Sequence, residues 1–179
     1  MAASRTMGAD FLKASIRHVP DFPKPGILFY DITTLLRDPG GFKAVIDHLA
    51  LPFEGAGIDL VVGIESRGFI LGGAVADRLG AGFCPIRKPG KLPAKAIRES
   101  FQLEYGSDVL ELHEDAVTAG QRVLVVDDVL ATGGTARAAA SLVRQLGGTL
   151  HALSFLIELT FLKGRDQLGG QRVESVLQY

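Results

Sequence analysis

Two adjacent carboxylates, Asp127 and Asp128, separate an apolar run at 123–126 from a loop of small residues. That loop consists of Ala131, Thr132, Gly133, Gly134 and Thr135. Carboxylates accept hydrogen bonds from the neighbouring hydroxyls of a ribose, and each bond to a charged group contributes about 1.5–3 kcal/mol. Small residues at the start of a helix let a phosphate reach backbone N–H groups where the helix dipole favours negative charge. The stretch therefore predicts a site for a phosphorylated sugar.

Two other interpretations of this stretch have to be weighed. It could be a buried strand whose acidic end caps a glycine turn. An apolar strand ending in Asp is also typical of nucleotide triphosphatases, but the sequence contains no Gly-x-x-x-x-Gly-Lys-Ser/Thr loop. The Gly-x-Gly-x-x-Gly pattern of dinucleotide-binding proteins is missing as well. The sugar-phosphate interpretation is favoured over both.

The composition is that of an ordinary globular protein of 179 residues, 47% of them hydrophobic and 22% charged. A net charge of −1 gives no global attraction to nucleic acid. Cys84 is the single cysteine, so no disulfide can form within the chain. No apolar run reaches the ~18 residues of a membrane span, and the N terminus has no apolar signal core. We expect a cytoplasmic protein with no nucleic-acid or membrane partner.

The elements that position these residues alternate between strands and helices. Short apolar runs predict strands, and apolar residues at helical spacing predict helices. We expect strands at 59–64, 83–86, 122–126, 150–159 and 173–177, an extended segment at 27–33, a polar hairpin at 98–113, and helices at 9–19, at 42–49, after Gly68 as far as Leu79, and at 134–146. This alternation implies an α/β fold with a mostly parallel sheet flanked by helices, in a single domain over residues 1–179.

The stretch 123–136 resembles the phosphoribosyl-pyrophosphate signature of the type I phosphoribosyltransferase family. The shared features are four apolar residues, two acids, a short small-residue stretch and Thr-Gly-Gly-Thr. The resemblance implies a twisted sheet with a flexible flap, placed at 95–113, and a small N-terminal base-binding hood, placed at 1–35. It also implies a homodimer, and Mg²⁺ bound mainly through the substrate pyrophosphate, with no dedicated protein ligand.

Four further segments resemble the members of this family that act on adenine. They are 22–29 with 31–33, then 63–69, then 87–88 with 90–93, and 103–106. Their order and spacing match as well. The resemblance implies transfer of the 5-phosphoribosyl group from phosphoribosyl pyrophosphate to adenine, with AMP and pyrophosphate as products.

The resemblance implies that the segment around Leu28 and Phe29 binds the base. Leu28 offers backbone contacts to the edge of adenine, and Phe29 stacks on its face. From the residues alone, a hydrophobic loop tucked against the core is a serious competitor. Tyr30 departs from the pattern, because many relatives carry a basic residue there.

Two segments are assigned to pyrophosphate. The first consists of Glu65, Ser66 and Arg67. The family often has a cis peptide bond at this position, so we expect one within residues 64–67. The second is a basic cluster of Arg87, Lys88 and Lys91. Cations suit a pyrophosphate, and in this family the basic loop can reach a neighbouring subunit. A solvated basic loop is the alternative.

Glu104 matches the family's acid/base position in the flap, and Tyr105 matches its flap tyrosine. Adenine loses a proton in the net reaction. A positioned carboxylate that accepts this proton contributes about 10²–10⁴-fold in rate. An exposed hairpin without a chemical role is the alternative for both residues.

Two alternative functions remain at this point. The base could be another purine, although a 6-oxo group usually requires a donor such as Lys, and the segment 22–33 favours adenine. The chain could instead be a regulatory protein that senses phosphoribosyl pyrophosphate. Such proteins usually carry a DNA-binding module, for which 179 residues and a net charge of −1 leave little room.

Overall fold

The computed structural model describes residues 8–102 and 107–179. The chain divides into two compact units, Met1–His48 and Leu49–Tyr179. The single domain over residues 1–179, with its hood at 1–35 and flap at 95–113, stays a prediction. Among the helices of the described residues, none combines the length and the apolar character needed to cross a membrane.

The first unit contains a two-stranded antiparallel sheet and short helices. Its elements are α1 (Ala9–Ser15), β1 (Arg17–Pro20), β2 (Leu28–Asp31), α2 (Thr33–Leu36) and the greater part of α3 (Pro39–Ala50). The helix predicted over 9–19 is shorter in the structure, where α1 ends at Ser15. The backbone of Ile16 is extended, with φ −82° and ψ 131°, and β1 pairs with β2 so that Arg17 lies opposite Asp31. Pairing with a segment remote in sequence overrides the local helical spacing.

The second unit is built on a parallel sheet. Its elements are β3 (Leu60–Ile64), α4 (Arg67–Leu79), β4 (Gly82–Ile86), β5 (Ala96–Gln102), β6 (Ser107–His113), β7 (Arg122–Leu130), α5 (Gly134–Gln145), β8 (Thr149–Glu158) and β9 (Val173–Gln178), with 3-10 helices at Leu51–Phe53, Thr160–Leu162 and Gly164–Leu168. The five strands follow the order β4-β3-β7-β8-β9, and each neighbouring pair is parallel. The predicted α/β class with a mostly parallel sheet is confirmed.

The core of this unit surrounds the central strands. All of β3 is buried, and so is the apolar run 123–126 of β7. Apolar runs without alternation are typical of strands covered on both faces. The antiparallel hairpin of β5 and β6 adds Phe101, Leu110 and Leu112 to the same core. The hairpin predicted at 98–113 thus contributes apolar side chains to the core.

Strand β7 is longer than predicted. It continues past Val126, through the two aspartates, to Leu130. On one side it pairs with β8 as far as Leu130, whereas on the other side β3 pairs with it only up to Val126. Because β8 supports the extension, the aspartates stay within the strand. They still lie at the carboxyl end of the sheet, where ligands bind in open α/β folds.

Candidate active site

Residues 131–135, called the phosphate loop after the ligand predicted for them, border a small cavity between β7 and α5. The cavity has a volume of about 80 Å³ and is lined by Asp127, Val129, Leu130, Ala131, Thr132, Gly133, Thr135, Ala136 and Phe155. Helix α5 begins at Gly134, so the loop leads directly into a helix N terminus. The structure thus brings Asp127 and the predicted loop residues to one place, and the arrangement suits an anion.

The two aspartates have different partners. Asp128 is only 5% exposed and forms an ion pair with the guanidinium of Arg67. Its backbone N–H donates to Asp127 Oδ1 at 2.9 Å, and Asp127 lines the cavity. Burial, followed by the charge of Asp128, raises the pKa of Asp127 well above its ordinary value. One carboxyl group therefore faces the cavity while the other balances a cation.

The loop between β3 and α4 places Arg67 beside these carboxylates. The peptide bond between Glu65 and Ser66 is cis, which confirms the bond expected within residues 64–67. Helix α4 begins at Arg67, directly after this loop. The backbone N–H of Glu65 donates to the carbonyl of Ile86 at 3.0 Å, which ties the loop to β4.

Glu65 holds the basic segment that follows β4. Its two carboxylate oxygens accept hydrogen bonds from Nε and Nη2 of Arg87, each at 3.2 Å. The backbone N–H of Lys88 donates to Oε2 at 2.9 Å. The bonds from Arg87, followed by that from Lys88, lower the pKa of Glu65. In this structure the Glu65 side chain therefore positions a cation.

The other basic residues complete this cluster in different ways. The Lys88 ammonium forms an ion pair with Asp108 of β6. The backbone carbonyl of Lys91 accepts a hydrogen bond from Arg87 Nη1 at 3.3 Å. The Arg87 guanidinium also lies 5.7 Å from the centre of the Phe69 ring. The basic segment is thus held at defined places, in contrast to a freely solvated loop.

Glu111 is a residue of this region that sequence reasoning missed. It is 3% exposed, and its Oε2 accepts a hydrogen bond from the Gly90 N–H at 3.0 Å. Its Oε1 lies 2.7 Å from Nε of Arg98. Its backbone forms two hydrogen bonds with Arg87, of 2.9 and 2.8 Å. The sequence could have identified Glu111, because it is an acidic residue within the apolar run 109–112. A charged side chain on a buried strand requires polar partners.

The remaining predicted site residues are Leu28, Phe29, Glu104 and Tyr105. Leu28 and Phe29 lie on β2 of the first unit, where Leu28 is exposed and Phe29 half-buried. The Phe29 ring packs edge-on to Phe22, with ring centres 5.1 Å apart. Glu104 and Tyr105 fall outside the described residues, so their roles stay predictions.

Comparison with known proteins identifies the family. The profile of the family described as phosphoribosyl transferase domain matches residues 32–157. The chain is 58% identical over 179 residues to an adenine phosphoribosyltransferase of Acidobacterium capsulatum, covering 100% of this chain and 99% of the relative. This chain belongs to the adenine phosphoribosyltransferase family. The family predicted from the motifs is therefore confirmed.

Solved adenine phosphoribosyltransferase structures share the fold. The crystal structure from Thermoanaerobacter pseudethanolicus has a TM-score of 0.93 at 51% identity, covering 96% of this chain and 99% of that chain. The Saccharomyces cerevisiae protein, crystallised with adenine and an imino-altritol bisphosphate, has a TM-score of 0.90 at 45% identity, covering 94% and 97%. The parallel sheet flanked by helices is therefore the fold of this family.

Proposed function

We propose that the chain transfers the 5-phosphoribosyl group of phosphoribosyl pyrophosphate to adenine. The products are AMP and pyrophosphate, so the reaction salvages a purine base. The observation that carries the proposal is the cavity where Asp127 meets the phosphate loop. The full-length relative with 58% identity, named an adenine phosphoribosyltransferase, supports adenine as the base.

In this proposal the ribose 5-phosphate, whose phosphate and hydroxyl groups do not change in the reaction, lies at the end of β7. Its phosphate accepts hydrogen bonds from backbone N–H groups of the phosphate loop and from the hydroxyls of Thr132 and Thr135. The carboxylates of Asp127 and Asp128 accept hydrogen bonds from the ribose hydroxyls. Binding at these two ends fixes C1 of the ribose relative to the rest of the site.

The leaving pyrophosphate lies towards Arg67. As the bond between C1 and the pyrophosphate oxygen breaks, the ring gains oxocarbenium character and negative charge builds on the departing group. Arg67 stabilises that charge together with the backbone N–H group of Ser66. The basic segment, with Arg87, Lys88 and Lys91, supplies further cations in the same or a neighbouring subunit.

The residues proposed to bind the base are Leu28 and Phe29. Backbone groups of Leu28 bond to the edge of adenine, and the Phe29 ring stacks on its face. The attacking purine nitrogen forms the new bond to C1, and the proton that adenine loses passes to the Glu104 carboxylate. Tyr105, beside it in the flap, helps to exclude water from the activated sugar. The complex of the yeast relative with adenine supports this class of base.

Mg²⁺ would reach the site with the substrate. In the described part of the chain, no group of three or more His, Cys, Asp or Glu side chains could hold a metal ion, and Asp128 is already paired with Arg67. The residues at the site therefore fit a magnesium ion that is held through pyrophosphate oxygens and water. The ion would neutralise charge on the leaving group.

We also propose a homodimer that buries an apolar patch on α4 and β4. Ile70 and Phe83 of this patch are 52% and 38% exposed, and Phe69 packs edge-on to Phe83 with ring centres 6.4 Å apart. A second copy of the chain would cover these side chains and bring its own Arg87 towards the site. Sedimentation should give twice the monomer mass; a stable monomer would contradict the dimer. The cytoplasmic location stays a prediction.

A single assay tests the function. Purified protein is incubated with Mg²⁺ and phosphoribosyl pyrophosphate, and with each purine base in turn, while nucleotide formation is measured. AMP from adenine, lost on chelation of the metal, is the expected result. Faster formation of another nucleotide would favour a different purine, and binding of phosphoribosyl pyrophosphate without any nucleotide would favour a sensor.

A further inference from the structure

The 3-10 helix Gly164–Leu168 lies directly against the phosphate loop. A Cβ atom added at Gly133, where φ is +89°, would lie 2.3 Å from the carbonyl oxygen of Gly164. Conversely, a Cβ atom added at Gly164 would lie 2.3 Å from the carbonyl oxygen of Ala131 and 3.1 Å from the backbone nitrogen of Gly133. Distances below about 3 Å are not tolerated by real side chains. The two backbones are therefore in contact, with glycine on both sides.

An ion pair between the exposed Arg165 and the buried Glu158 fixes this 3-10 helix. Arg165 Nε donates to Glu158 Oε1 at 2.6 Å, and Nη2 donates to Oε2 at 2.7 Å. Arg165 Nη1 also donates to the carbonyl of Val173 at 3.0 Å, and the Ser175 hydroxyl donates to Glu158 Oε2 at 2.6 Å. Glu158 is only 4% exposed. These bonds join the 3-10 helix to the ends of β8 and β9.

We propose that Gly164 and the Glu158–Arg165 pair are positioning residues for the phosphate loop. They hold the 3-10 helix against residues 131–133, so that the loop amides keep the geometry that a phosphate requires. None of the three residues lines the cavity, so they act through the loop. The inference rests on the proposed function in one respect, namely that the phosphate loop binds phosphoribosyl pyrophosphate.

The direct test is Gly164→Ala, with Gly82→Ala as its matched control. A Cβ atom at Gly82 would meet its nearest neighbour at an ordinary 3.4 Å. We expect Gly164→Ala to raise the KM for phosphoribosyl pyrophosphate at least tenfold and the KM for adenine less than twofold. Amide hydrogen exchange of residues 131–135, which needs no activity, should accelerate at least tenfold. Gly82→Ala should change neither quantity.

A second variant keeps the proposal testable if Gly164→Ala does not fold. Glu158→Gln preserves the shape of the side chain and removes the negative charge that pairs with Arg165. Its matched control is Glu54→Gln, because Glu54 pairs with Arg78 on the exposed surface. We expect Glu158→Gln to raise the KM for phosphoribosyl pyrophosphate at least threefold and to speed amide exchange in the loop.

The outcomes are separable from those of the proposed function. A lower Tm in Glu158→Gln with an unchanged KM and unchanged loop exchange would show a merely structural pair and overturn the proposal. Wild-type protein that forms no nucleotide would contradict the proposed function, while loop exchange in the variants would still decide the positioning role.

Discussion

Glu65 and Arg87 form a two-point ion pair, with both carboxylate oxygens 3.2 Å from guanidinium nitrogens. The same carboxylate receives the Lys88 N–H, so one acidic residue orients the start of the basic segment before any substrate arrives. Cations fixed in this way lose less conformational freedom when pyrophosphate binds.

Replacement of Glu65 tests this arrangement through pH. Because the pKa of Glu65 is lowered in the folded protein, its contribution to stability is full above the ordinary range for glutamate and disappears as pH falls through the lowered pKa. We expect Glu65→Gln to have a lower Tm than wild type at neutral pH. The difference in Tm should shrink as pH falls from about 6 to about 3.

The matched control for Glu65→Gln is Glu114→Gln, which alters an exposed side chain. It should leave the pH dependence of Tm unchanged. A constant difference in Tm between wild type and Glu65→Gln across this pH range would refute the ion-pair explanation.

Asp127→Asn should stabilise the protein and weaken its activity. The raised pKa of Asp127 means that the charged form is disfavoured in the fold. Its destabilising effect is therefore full above the raised pKa and disappears as pH falls from that pKa to the ordinary range for aspartate. We expect Tm at neutral pH to rise by roughly 2–4 °C, as about 1 kcal/mol gives in a chain of this size. The kcat/KM for phosphoribosyl pyrophosphate should fall at least tenfold.

For Asp127 the comparison is Asp115→Asn, at an exposed position. Thermal unfolding at several pH values and steady-state kinetics provide the two measurements. A lower Tm for Asp127→Asn at neutral pH would argue against a destabilising charge at this position.

Arg67→Ala should destabilise the protein because it removes the counter-charge of buried Asp128. Since Arg67 is itself partly exposed, we expect a loss of about 1–2 kcal/mol in the free energy of unfolding. Adding Asp128→Asn in the same chain should recover most of the Tm but none of the activity. If the second substitution lowers Tm further, the pairing does not explain the effect.

Glu104→Gln should lower kcat more than tenfold with Tm unchanged, because the amide cannot accept the proton that adenine loses. Steady-state kinetics with adenine and phosphoribosyl pyrophosphate give the measurement, and Glu114→Gln is again a suitable control. A loss smaller than tenfold in a folded protein would remove Glu104 from the mechanism.

Phe29→Ala should raise the KM for adenine at least tenfold while the KM for phosphoribosyl pyrophosphate changes less than twofold, because stacking on the base is lost. Phe11→Ala, at an exposed aromatic residue of α1 that is 43% accessible, should affect neither constant. Equal increases in both KM values would indicate general damage to the first unit instead.

The sheet and the phosphate loop could be predicted because their signals are local. A continuous apolar run before Asp127 can only be a buried strand or helix, and the glycines that follow it limit the choice to a strand and a tight loop. The helix start after the loop follows from the same pattern. These features require no knowledge of distant residues.

Other features depend on neighbours that are distant in sequence. The extension of β7 to Leu130 requires β8 alongside it, and the early end of α1 requires β2. The Glu111 side chain depends on the Gly90 N–H, which donates to it, and on Arg98, with which it forms an ion pair. In each case a tertiary contact decides between local alternatives that are close in free energy, so local spacing alone could not predict the outcome.

The contact between Gly164 and the phosphate loop also bears on protein engineering. The signature stretch is contiguous in sequence, yet part of the surface that shapes it comes from a later turn of the chain. A graft of 123–136 into a new scaffold would therefore transfer the signature sequence without the 3-10 helix that packs against its loop. A transplant that is meant to bind phosphate should carry the 3-10 helix Gly164–Leu168 and its Glu158 anchor as well.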